Sequence, residues 1–176
     1  MKSGYLLKIN SINEVPVEND LSSFKGIRSI RIIIFLSLAI WCLGFTYASL
    51  FPKSQMVILY PLLKQVYSTV CHQIPYKSIE VNGINFLVCA RCSGIYFGGL
   101  LISMFFLFSF RNYSLKVSYL FIAAIPMLTD VILYSTGVYA YSKIIALVTG
   151  FIFGFVVVSF ILSSIEKILL KGNNKD

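Results

Sequence analysis

The residues best equipped for chemistry fall in one stretch. Cys71-His72-Gln73-Ile74-Pro75 is followed by Cys89-Ala90-Arg91-Cys92, so three of the four cysteines and the only histidine lie between positions 71 and 92. A C-x-x-C step brings two sulfurs within reach of one ion, and thiolates with a neutral imidazole suit Zn²⁺, Cu(I) or an iron–sulfur cluster. Cys71, His72, Cys89 and Cys92 are therefore the candidate metal ligands, with Zn²⁺ the first choice of ion. Adjacent residues seldom reach one metal together. If only one of Cys71 and His72 ligates, the fourth position falls to water, Asp130 or a substrate. Gln73, Arg91, Asp130 and Thr149 are the polar groups expected to surround the ligands.

The same residues admit other chemistry. A C-x-x-C at a helix N-terminus lowers thiol pKa values and is also how redox-active dithiols are built, which makes a membrane thiol–disulfide oxidoreductase using Cys89 and Cys92 the main alternative. A structural disulfide, such as Cys71 to Cys89, is a third possibility on an oxidising face. Cys42, beside Trp41 in an apolar run, is expected to be packing material. A small transporter or metal-handling protein is a further alternative, resting on the single carboxylate inside an apolar run, Asp130. No phosphate-binding loop, Ser/His/Asp set or carboxylate pair points to an ATPase or hydrolase.

These residues must be positioned by a membrane-embedded scaffold. Of 176 residues, 57% are hydrophobic and 12% charged, against roughly a quarter charged in soluble domains. The net charge of +8 lies in short segments between apolar runs, so nucleic-acid binding is not expected and the lipid bilayer is the expected partner. The runs at 30–51, 93–110, 117–135 and 144–165 each approach the roughly twenty residues needed to cross about 30 Å of hydrocarbon. The fold expected is an all-α membrane protein, a four-span helical bundle. Its outer loop, 52–92, should contain a short interfacial or re-entrant helix over 56–70, where Pro61, Lys64 and Gln65 interrupt the apolar pattern. Residues 1–29 read as a polar arm and 166–176 as a basic tail.

Orientation follows from the basic residues. Lys2, Lys8, Lys25, Arg28, Arg31, Arg111, Lys116, Lys167, Lys171 and Lys175 fall on one side. Lys53, Lys64, Lys77, Arg91 and Lys143 fall on the other. This ten-to-five bias predicts a multi-pass protein of the cytoplasmic membrane with both termini in the cytoplasm and the cysteine loop outside. The first span is expected to be retained as a signal anchor. Asp130, on an outward-running span, should then reach the depth of Arg91 and pair with Arg91, Lys143 or the metal, because an unpaired charge in hydrocarbon is costly. Thr149 should add a hydroxyl to that layer or bond back to its own helix. Gly94 and Gly98, and Gly150 and Gly154, form two G-x-x-x-G faces that let helices approach closely. Packing inside the monomer is the primary expectation and a homodimer through these faces the alternative.

Cys-His-Gln-x-Pro followed by Val-Cys-Ala-Arg-Cys-Ser-Gly-Ile-Tyr resembles a family of small prokaryotic membrane proteins, domain of unknown function 2085. Cys71, His72, Gln73, Pro75, Cys89, Arg91, Cys92, Gly94 and Tyr96 match its pattern, and Pro126, Asp130, Thr149 and Gly150 look like its further motif positions. The chain departs from it at Val131, where a glycine is usual, and lacks an arginine shortly before Thr149-Gly150. The resemblance strengthens the choice of site without implying a reaction.

Overall fold

The computed structural model describes residues 17–50, 59–81, 83–108 and 116–172. Apolar runs too long for anything but helix give α1 (Val17–Leu50), α3 (Ala90–Phe108), α4 (Val117–Ser135) and α5 (Lys143–Gly172). All four are long and apolar enough to cross a membrane. In hydrocarbon a helix is the one open-ended structure that satisfies its own backbone. The loop expected outside holds the short helix α2 (Leu59–Ser68) and also an antiparallel hairpin, β1 (Ser78–Val81) with β2 (Ile84–Cys89). The hairpin was not expected from the hydrophobic pattern. Its signal is Asn82-Gly83 between Val81 and Ile84, which pair across the turn; Gly83 has φ +75°, the backbone a tight hairpin turn demands. A short 3-10 turn, Pro75–Lys77, leads into β1.

Two boundaries differ from expectation. The stretch 17–29, read as polar arm, continues α1, while residues 1–16 lie outside the described residues. Likewise α5 runs beyond residue 165 to Gly172. The reason for the second is visible at Glu166, which is buried and accepts from Arg31 Nε at 2.6 Å. Arg31 also donates to the Phe106 carbonyl at 2.7 Å and sits 5.6 Å from that residue's ring centroid. One guanidinium thus ties α1, α3 and α5 together at the end away from the cysteines.

The bundle is organised around α3 and α5. A side chain at Gly94, Gly98, Gly150 or Gly154 would run into backbone of the opposing helix: Leu147 and Phe151, Phe151, Arg91, and Ile95 respectively. Because Gly150 faces Arg91 and Gly154 faces Ile95, the two helices run parallel in register. Both glycine faces are consumed inside one chain. On the other side of α3, α1 packs through Phe45, which is fully buried. The rings of Tyr67, Phe86, Tyr96 and Phe97 lie within 5.5 to 6.1 Å of Phe45. This aromatic core also contains Cys42, so that thiol is packing, as its apolar setting suggested.

Candidate metal centre

Three separate elements deliver three sulfurs to one point. Cys71 follows α2, and its N–H donates to the Tyr67 carbonyl at 3.0 Å. Tyr67 is in turn locked to α1: its ring meets Trp41 edge-on at 4.8 Å and its hydroxyl donates to the Trp41 carbonyl at 2.8 Å. Gly44 makes room for that hydroxyl, where any Cβ would collide. Cys89 ends β2, opposite Ser78. Cys92 stands in the first turn of α3, which begins at Ala90 with no intervening loop. The strand-to-helix junction and the end of α2 therefore converge, and the Sγ atoms of Cys71, Cys89 and Cys92 all lie within 4.8 Å of one another. All three cysteines are free thiols.

The surroundings of Cys71 favour thiolate at that sulfur. The backbone N–H of Cys89 donates to Cys71 Sγ at 3.2 Å. Hydrogen bonds from the Cys89 and Cys92 side chains, with the backbone N–H groups of Gln73 and Cys89, hold the Cys71 thiol far below the usual thiol range despite its burial. A sulfur that attracts this many donors is a sulfur poised to carry charge.

The structure does not bring every candidate to this point. His72 is exposed and is not part of the thiol group. The backbone turns just after the two neighbours: Gln73 has φ +50°, and its side-chain amide donates to the Lys64 carbonyl at 2.9 Å. Gln73 therefore braces the chain leaving Cys71. Among the described residues no other His, Cys, Asp or Glu joins the three sulfurs.

Beside the sulfurs lies a charged network. Arg91, between Cys89 and Cys92 in the chain, forms an ion pair with Asp130 of α4. The second carboxylate oxygen of Asp130 accepts from the Tyr139 hydroxyl. Asp130 is 5% exposed, so the pair ties α3 to α4 where a lone carboxylate would be costly. Thr149 lines a groove of about 520 Å³ next to Asp130. Its hydroxyl, however, donates to the Ile145 carbonyl at 2.9 Å, within its own helix.

Two residues of this network had no marker in the sequence reading, Tyr139 and Tyr141. Burial pushes the Tyr141 phenol up to about 12; Cys89 reinforces the shift and Arg91 opposes it. Its hydroxyl thus lies in the field of both the sulfurs and the ion pair. The Tyr141 ring packs on Tyr134 at 5.3 Å, and Lys77 Nζ lies 4.5 Å from the Tyr134 ring centroid and 5.6 Å from that of Tyr141. This cation–π cluster clasps the hairpin approach onto the ends of α4 and α5.

Residues 71–160, just over half the chain, match the model of a family described as "predicted membrane protein (DUF2085)". This chain belongs to the DUF2085 family. An uncharacterised protein of Methanocaldococcus jannaschii is 38% identical over 112 residues, which cover 62% of this chain and 72% of the relative. No solved structure matches. The DUF2085 match opens at Cys71 and includes Cys89, Cys92, Arg91 and Asp130.

Proposed function

We propose that this DUF2085 protein holds a thiophilic metal ion, Zn²⁺ first among them, on Cys71, Cys89 and Cys92 at the extracytoplasmic face of the membrane. The observation that carries the reading is the convergence of three thiols from three elements to within 4.8 Å, one of them surrounded by hydrogen-bond donors. Thiolate sulfur supplies most of the affinity of such sites, and an ion there would also pin the outer loop to the bundle. The ten-to-five basic bias supports the outward orientation.

Elemental analysis of detergent-purified full-length protein, paired with a free-thiol count, tests the reading. One equivalent of metal is expected in the wild type and little in Cys89→Ser or Cys92→Ser, while Cys42→Ala keeps its metal. Metal-free protein with a Cys89–Cys92 disulfide would instead support thiol–disulfide exchange, a reading favoured by the donor-rich Cys71 sulfur next to a C-x-x-C.

A further inference from the structure

We infer that the three-cysteine centre is coordinatively open and takes a small exogenous thiol as its fourth ligand, received between the metal and the Arg91–Tyr141 side of the site. The inference rests on the metal reading above and deepens it.

The first support is the ligand count. Zn²⁺ and Co²⁺ in such settings take four ligands, and the described residues offer three sulfurs and no fourth Cys, His, Asp or Glu within reach. His72, the neighbour with a suitable ring, is exposed and outside the group. Cys89 and Cys92 are only partly buried, so the thiol group is not sealed inside the fold.

The second support is an unfilled donor on Arg91, the residue between Cys89 and Cys92 in the chain. Arg91 gives a terminal nitrogen to Asp130, but its Nε is buried and has no hydrogen-bond partner. Buried donors normally find a partner, and a ligand atom placed here would supply one. The Tyr141 ring packs on Tyr134 and Lys77 and its phenol feels the charges of Cys89 and Arg91, which brings a second donor to this side of the site.

Charge and softness select the ligand. A divalent ion with three thiolates carries one net negative charge, so its Lewis acidity is low and bound water is weakly activated. Such an ion prefers another soft sulfur. On binding, the thiol loses its proton to solvent, a metal–sulfur bond forms and the resident water leaves. No electron is transferred. Arg91 and Tyr141 offset the added negative charge by hydrogen bonding.

Cobalt substitution separates this inference from the reading beneath it. Full-length protein in detergent, loaded with Co²⁺ under nitrogen, should show a thiolate-to-cobalt charge-transfer band of three-thiolate intensity that is largely lost in Cys92→Ser. Titration with 2-mercaptoethanol should raise the wild-type band by one further thiolate, saturably and with an isosbestic point. Tyr141→Phe should leave the starting spectrum unchanged and weaken thiol binding about tenfold, the loss of one hydrogen bond. A three-thiolate band that ignores the added thiol would overturn the open position while leaving the metal centre standing. Bleaching of the band would also overturn it, because the thiol would then be competing with the cysteines. Absence of any charge-transfer band would instead remove the metal reading itself.

Discussion

Replacing Arg91 should destabilise the bundle more than replacing its partner Asp130, although the two form one ion pair. The side chain of Asp130 is 3% exposed and that of Arg91 19%. Breaking a buried pair by removing one partner costs about 3–5 kcal/mol, because the remaining charge is left uncompensated. Asp130→Leu strands a guanidinium that can swing its head toward water, so the cost should fall near the lower end, about 3 kcal/mol. That figure includes roughly 1 kcal/mol for the acceptor Tyr139 loses. Arg91→Leu strands the deeper group with Tyr139 as its remaining partner, and about 4–5 kcal/mol is expected. The double variant leaves neither charge behind and should recover most of the loss, since apolar replacement of a buried pair is often near neutral. Equilibrium unfolding in mixed micelles at constant zinc, read as a double-mutant cycle, measures each quantity. Additive single effects, or losses under about 1 kcal/mol for both, would refute the pairing as a stabilising contact.

Other expectations follow from the same geometry. Gly154→Leu should abolish folded protein, because its side chain would overlap the Ile95 backbone, whereas Gly26→Leu should be tolerated, with open space around it; size-exclusion profiles in detergent distinguish the two. Glu166→Ala should destabilise the bundle by removing the carboxylate to which the buried Arg31 donates, and Arg31→Leu with Glu166→Leu together should cost less than the sum of the single changes; thermal unfolding checks both. Acidification should release bound metal, since protons compete with it for thiolate, and a dye that reports free zinc would show retention at low pH if the ligands are not thiolates. A membrane-impermeant thiol reagent, applied to intact cells after chelation and reduction, should label Cys71, Cys89 and Cys92. Labelling only after lysis would reverse the orientation.

The spans were legible because composition alone decides what can sit in hydrocarbon, and α4 matches its expected limits, 117–135. The glycine faces were legible because four-residue spacing is a helix-packing signal, although spacing cannot say whether the opposing helix belongs to the same chain. The hairpin carried a local marker, Asn82-Gly83, that the search for apolar runs passes over. Arg31 read as a charge at the edge of a span because Glu166 lies 135 positions away, beyond any local pattern. Tyr139 and Tyr141 were invisible for a related reason: tyrosines near a membrane interface are common, and only the fold brings these two to Asp130 and the sulfurs. The distinction between Cys71 and His72 depends on how the chain leaves α2, where the Cys71 N–H donates to the Tyr67 carbonyl, which neighbouring residue types do not reveal.

Whether three thiolates hold one metal ion is read directly by zinc K-edge X-ray absorption of the purified full-length protein. About three sulfur neighbours near 2.3 Å and one lighter neighbour near 2.0 Å are expected. A first shell of nitrogen and oxygen without sulfur, or protein that carries no stoichiometric metal, would contradict that arrangement.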